Sequence, residues 1–187
     1  YFPDKTFRPE QPLSRAETVS LLIKAKEKEP PPHDESFQIF TDVLTSHWAA
    51  DYIAEAYKKK ITYGYPDRTF KPRNTTSRAE GITFLTRFDG LALSLKDVLS
   101  APYSDVPLHH WALREILAAK DNQYLNYIKG EKLGPKQILT RAELAEMLYR
   151  TDFTKTKLND FIFEQPSVSG VSIEAAPSTE LAPPSRE

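Results

Sequence analysis

Ser77-Arg78-Ala79-Glu80 returns twice, as Ser14-Arg15-Ala16-Glu17 and as Thr140-Arg141-Ala142-Glu143, each 63 residues away. The offset extends outward from that motif. Phe40-Thr41-Asp42-Val43 recurs as Tyr103-Ser104-Asp105-Val106, and His47-Trp48-Ala49 recurs as His110-Trp111-Ala112. Tyr65-Pro66-Asp67-Arg68-Thr69-Phe70-Lys71-Pro72 matches Phe2-Pro3-Asp4-Lys5-Thr6-Phe7-Arg8-Pro9. Self-similarity at a fixed period marks units that cannot bury their own apolar faces and so pack on one another. The chain holds two full copies preceded by the second half of another.

Each full copy reads as two helices joined by a loop. Trp48, Ala49, Tyr52, Ile53, Ala56 and Tyr57 form one apolar stripe at helical spacing. The third copy keeps Trp111, Ala112, Ile116 and Ala119, but Glu115 and Lys120 replace the tyrosines and narrow the stripe. The later helix opens on the Ser/Thr-Arg-Ala-Glu motif, whose spacing is a capping box: Ser14 with Glu17, Ser77 with Glu80, and Thr140 with Glu143. Behind it Val19, Leu21 and Leu22, then Ile82, Phe84 and Leu85, then Ala145, Met147 and Leu148 read as three copies of one buried face. The expected fold is mainly α: tandem helix-loop-helix repeats around a central three-helix bundle, with the shorter helices outside.

Composition divides the chain further. The second half of the first copy covers 1–29, a Pro-rich spacer 30–36, the second copy 37–92, a linker 93–101, the third copy 102–153, and a Pro/Ser-rich tail 154–187. From Gln165 onward that tail reads as a disordered linker to something further. A chain that opens Tyr1-Phe2-Pro3-Asp4 reads as a processed or excised piece. Of 187 residues 40% are apolar and 27% charged, enough for a real core, and 25 Lys and Arg against 26 Asp and Glu give a net charge of −1. That balance lacks the basic excess of nucleic-acid binding. No run of 18 apolar residues is present to span a bilayer. With no Cys, disulfides, thiol catalysis and thiolate metal sites are excluded, and the compartment is left open.

Arg15, Arg78 and Arg141 each follow a helix cap, where a positive charge opposes the helix dipole at a cost of roughly 0.3–1 kcal/mol. Two readings follow. Arg and free backbone N–H groups of a first helical turn would make an anion site; alternatively each Arg pairs with an acid of a neighbouring copy and fixes the bundle. Glu17, Glu80 and Glu143 are better explained as capping residues than as glycosidase carboxylates, and no catalytic residue is assigned. Asp42 and Asp105, just ahead of helices, suit turn formation or capping. Trp48 and Trp111 read as partly core at helical spacing, with a sugar-stacking wall as the alternative. His47 and His110 begin helices and have no ligand set around them, so no metal and no cofactor is expected. In Tyr63-Gly64-Tyr65-Pro66-Asp67 a turn is sufficient explanation, and Gly64 would also let a ligand approach the backbone. The third copy has Asn126-Tyr127-Ile128-Lys129-Gly130 instead, so a site using that loop is expected to be altered or lost there.

The ordered set Phe40-x-Asp42-Val43, His47-Trp48-Ala49, Gly64-Tyr65-Pro66-Asp67-x-x-Phe70-x-Pro72 and Ser77-Arg78-Ala79-Glu80 resembles the S-layer homology domain family over roughly Tyr1 to Asp152. The resemblance implies a pseudo-threefold helical spindle with grooves between adjacent copies. It also implies non-covalent anchoring of a surface protein to a cell-wall polymer, often an acidic polysaccharide bearing pyruvate ketals, or to peptidoglycan. The family's groove Arg maps onto Arg15, Arg78 and Arg141, its aromatic wall onto Trp48 and Trp111, and its loop Gly onto Gly64, beside Tyr65. The location implied is extracytoplasmic: cell surface, cell wall or periplasm. Departures are the missing first half-repeat, Tyr1 where Gly is expected, and the altered third loop. Arg78 and the copies around it are expected to form the best site. The rival expectation is an envelope scaffold that holds partner proteins, with vestigial grooves. Completion of the first copy by another chain would make the protein self-associate.

Overall fold

The computed structural model describes residues 4–27, 31–32, 38–94 and 98–164, with the side chains of 161–164 outside that description. Most of the Pro-rich spacer and the whole segment from Gln165 onward lie outside the described residues. Six helices lie among the described ones: α1 (Arg15–Lys26), α2 (Ala50–Lys58), α3 (Arg78–Phe88), α4 (Leu113–Asp121), α5 (Arg141–Tyr149) and α6 (Asp152–Glu164). The fold is mainly helical, and the described residues contain isolated β-bridges but no sheet.

The three motif helices start as their spacing predicts. Ser14 Oγ accepts from Glu17 N at 3.2 Å while Glu17 Oε2 accepts from Ser14 N at 2.8 Å. Ser77 with Glu80 and Thr140 with Glu143 repeat the reciprocal pair. The segments leading into these caps then bind one another in a closed ring. Leu13 N–H donates to Leu139 O at 3.0 Å, Leu139 N–H to Thr76 O at 2.8 Å, and Thr76 N–H to Leu13 O at 2.8 Å. These three residues occupy the same place in the repeat, and all are fully buried. Such a ring gives the three copies a pseudo-threefold relation.

The next donors in each helix also go to a neighbouring copy. Arg15 N–H reaches Asn74 O, Arg78 N–H reaches Gln137 O, and Arg141 N–H reaches Gln11 O, at 2.8, 2.7 and 3.1 Å. Ala16, Ala79 and Ala142 N–H reach the carbonyls of Pro72, Pro135 and Pro9. Helix starts that ordinarily face water are thereby satisfied inside the protein. Around this ring α3 packs against both α1 and α5, while α2 lies on α1 and α4 on α3. Each copy's first helix therefore covers the second helix of the copy before it. Ile53 and Ala56 of α2, and Ile116 and Ala119 of α4, are buried in those contacts with the common core.

Several expectations are corrected. The apolar stripe does not include the tryptophans: α2 and α4 begin at Ala50 and Leu113, so Trp48 and Trp111 sit ahead of them, 58% and 61% exposed. In the third buried face Leu144 and Met147 are buried but Ala145 is exposed. Whereas α1 and α3 each carry the outer helix of a following copy, α5 is followed directly by α6. That helix crosses the 153/154 boundary drawn from composition, because Asp89 ties its start to the end of α3. Both Asp89 carboxylate oxygens accept there, from Asp152 N and Phe153 N at 3.0 Å each, and the Phe153 ring packs edge-on to Phe88.

Asp42 and Asp105 do not cap the helices that follow them. Asp42 accepts from Phe70 N and Lys71 N, both at 2.7 Å, and Asp105 from Leu133 N and Gly134 N, both at 2.8 Å. Each carboxylate clamps the loop that returns toward the next motif helix. Burial works against the charge on Asp105, yet the two N–H groups outweigh it and hold its pKa below the usual carboxylate range. Replacing Asp42 with Ala removes the acceptor of two loop N–H groups and is expected to cost about 2 kcal/mol of stability. Urea unfolding followed by circular dichroism measures this, and an unchanged midpoint would show that the loop holds itself.

Candidate functional site

A groove of about 660 Å³ opens between the second and third copies, with a contribution from the first. It is lined by Arg15 of α1, by the loop from Thr62 to Pro66, by Ser77 at the cap of α3 with Glu80, Thr83, Phe84 and Arg87 of that helix, and by Trp111 of the third copy. The structure thus gathers Arg15, Gly64, Tyr65, Ser77, Glu80 and Trp111 of the residues singled out from sequence. Arg78, Arg141 and Trp48 lie elsewhere.

Arg15 is only 3% exposed and firmly held. Its Nε donates to Phe70 O and its Nη1 to Glu80 Oε1, both at 2.8 Å, and the guanidinium lies 4.6 to 5.2 Å from the ring centres of Tyr65, Phe70 and Phe84. Glu80 serves two copies at once: Oε2 closes its own capping box while Oε1 accepts from Arg15 and from the Tyr65 hydroxyl at 2.8 Å. Burial alone would raise the Glu80 pKa; the Ser77 N–H, the Arg15 charge and the Tyr65 hydroxyl prevail and hold it down. Tyr65 is pushed up by burial and by its bond to that carboxylate. Arg78 repeats the arrangement, with Nε 2.9 Å from Glu143 Oε1 and Nη1 on Leu133 O. Arg141 Nε donates to Phe7 O at 2.7 Å. An anion site built from Arg and free first-turn N–H groups is not what these helices form, because the N–H groups already bind carbonyls of the neighbouring copy or the cap hydroxyl.

Gly64 is required where it stands. Its φ is +72°, and a Cβ there would sit 2.8 Å from Thr69 O and run into the Phe40 ring. At the equivalent position of the third copy Tyr127 packs half-buried against the core, its hydroxyl buried without a hydrogen-bond partner. Burial, followed by the nearby Glu143 charge, raises its pKa, while Arg78 opposes the shift. The third copy thus carries an aromatic residue at a position where the second copy has no space for a side chain.

Trp48 borders a separate hollow of about 640 Å³ with Lys71 and Arg73, and Trp111 also borders its counterpart of about 650 Å³ with Lys136. His47 and His110 hold both tryptophan turns: their Nδ1 atoms accept from Ala49 N and Ala112 N at 3.1 Å, and their rings lie 5.7 and 5.6 Å from the indoles. Among the described residues no three His, Asp or Glu side chains gather as a metal site, and no helix is long and apolar enough to cross a membrane.

Arg87 escaped the sequence reading. A signal for it exists, since Lys24, Arg87 and Arg150 place a cation at one position of all three copies. Thr62, Tyr63 and Thr83, which also line the groove, carry no comparable mark.

The S-layer homology domain model matches residues 2–19, 39–80 and 102–145. This covers more than half of the chain, in the three pieces that the period defines, and the chain belongs to the S-layer homology domain family, whose members are cell-wall anchoring modules of surface proteins. It is 30% identical over 156 residues to Cell surface glycoprotein 1 of Acetivibrio thermocellus, covering 80% of this chain and 7% of that protein. It is 32% identical over 121 residues to the Cellulosome-anchoring protein of the same organism, covering 62% of this chain and 26% of the relative. With the Surface layer protein of Brevibacillus choshinensis the identity is 31% over 93 residues, 49% of this chain and 8% of the relative. The chain thus spans about a quarter or less of the length of these relatives.

Burial first, then neighbouring cations, lowers the pKa of His47 and His110. A ring whose folded pKa lies below the unfolded value of about 6.5 stabilises the fold fully above that pH, and the contribution fades as pH falls below it. The thermal midpoint should drop between pH 7 and pH 5.5. A double His47→Asn, His110→Asn variant, whose amide oxygens can accept the same N–H bonds without titrating, should lose part of that drop. An identical pH profile would exclude the histidines as its source.

Proposed function

We propose that this domain anchors its parent protein to the cell wall by holding an acidic wall polysaccharide in the groove between the second and third copies. The observation that carries this is one groove of about 660 Å³ lined by the exposed indole of Trp111, by Tyr63 and Tyr65, and by two arginines, Arg15 and Arg87. An indole face suits the C–H face of a sugar ring, the Gly64 backbone permits close approach, and a guanidinium suits a carboxylate substituent such as a pyruvate ketal. Glu80 holds the Tyr65 hydroxyl and Arg15 lies over the Tyr65 ring, so Tyr65 is fixed in place. The relatives called a Cellulosome-anchoring protein and a Surface layer protein support the anchoring role.

The groove is read as non-catalytic. Glu80 is the carboxylate among its lining residues, and it is saturated by Ser77, Arg15 and Tyr65 and held ionised, the opposite of what a glycosidase general acid needs. A protein-binding scaffold is the second reading, favoured by the pairing of Arg15 with Glu80 and of Arg78 with Glu143, which offsets two of the positive charges.

Co-sedimentation with purified sacculi, intact or stripped of their acidic polymer, separates the readings. Wall binding should disappear on stripping, weaken with salt, and fall about tenfold or more in Trp111→Ala, a change at an exposed residue that leaves the core alone. Binding that survives stripping and the Trp111 variant would move the contact to another face, and no binding to any wall would favour the scaffold.

A further inference from the structure

We infer that the cation meeting the ligand's negative charge in this groove is Arg87, held by Glu115 of the third copy, and that the motif residue Arg15 is a structural brace. The inference rests on the glycan-groove reading and assigns its anion subsite. Arg15 and Arg87 both line the groove, but in different states. The Arg15 side chain is 4% exposed, with Phe70 O and Glu80 on its nitrogens and three aromatic rings around it. Drawing it toward a ligand would unseat Tyr65 and strip Glu80 of its counter-charge.

The Arg87 side chain is 30% exposed and lies 5.1 Å from the centre of the Tyr63 ring, in the groove that Trp111 also lines. Among the described residues its hydrogen-bonding partner is Glu115 Oε1, 3.1 Å from Nη2. A guanidinium carries five N–H groups in one plane. One is committed to Glu115, and others remain for a carboxylate or phosphate on the glycan.

Glu115 is the buried partner, with a side chain 9% exposed. It stands where the second copy has Tyr52, and Tyr52 packs under Lys24, the first copy's counterpart of Arg87. In the third copy's counterpart Arg150 turns back to Glu146 on its own helix. The same repeat position thus has three different partners, and only the Arg87 version belongs to a groove with Gly64, Tyr65 and an exposed Trp. Glu115 fixes the direction of Arg87 through one bond, and its negative charge also moderates the attraction of Arg87 for an anion.

Affinity for sacculi bearing the acidic polymer, measured beside the thermal midpoint of each variant, tests the assignment. Arg87→Gln should weaken binding about tenfold or more, the loss of one charge-assisted bond. Arg87→Lys should recover part of it, as the charge returns without the fork. Glu115→Gln keeps an acceptor for Nη2 and removes the opposing charge, so it should tighten binding severalfold and steepen the salt dependence. Unchanged affinity in Arg87→Gln together with a loss in Trp111→Ala would overturn the subsite while leaving the groove reading in place. Unchanged affinity in both would remove the groove reading itself. Equal weakening by Arg87→Gln and Glu115→Gln, tracking lost stability, would make the pair a structural link between α3 and α4.

Discussion

The ring of three backbone hydrogen bonds among Leu13, Thr76 and Leu139 is the constraint on which the molecule depends. All three residues are buried, so each N–H and carbonyl must be satisfied within the protein. Only the equivalent residue of a neighbouring copy is placed to do it. The next two donors of each central helix likewise end on carbonyls of a neighbouring copy, so no motif helix completes its own start. Outer helices add to this mutual dependence, since α2 covers α1 and α4 covers α3. The unit of the sequence is one copy, while the unit of stability is the closed set.

Seen from that ring, the Ser-Arg-Ala-Glu motif is a joint between copies. Ser77 caps, Ala79 is small and buried, and Glu80 splits its two oxygens between its own cap and Arg15 of the preceding copy. Arg at the positive end of a helix, unfavourable as a local choice, is offset by a carboxylate and a carbonyl on other copies. The exposed part of the groove is left to residues outside the motif, Trp111 and Arg87 among them.

The backbone is more regular than the residues that form it. Arg8, Lys71 and Gly134 share one repeat position and all adopt positive φ, at 52°, 58° and 68°. Lys60 and Gln123 do the same just after α2 and α4, at 61° and 66°. A side chain in that region costs roughly 1–2 kcal/mol. At Lys71 and Gly134 the compensation is visible, because that turn presents two successive N–H groups to Asp42 and to Asp105. The same clamp carries the loop from which Gly64 and Tyr65 reach the groove back toward α3.

What the sequence determined alone is whatever depends on near neighbours or on the period. The offset of 63 residues marks the copies, the four-residue capping box marks where α1, α3 and α5 begin, and the replacement of Gly64 by Tyr127 marks the altered loop. Its local rules could not place Trp48 and Trp111, whose helical spacing suggested core although the helices start after them. They also could not show that Asp42 binds 28 residues away or that Arg15 meets a Glu 65 residues on. Periodicity says which residues are equivalent; only closure of the ring decides which copy faces which. Partner choice across that closure set the burial of Arg15, the exposure of Arg87 and the meeting of three copies in one groove.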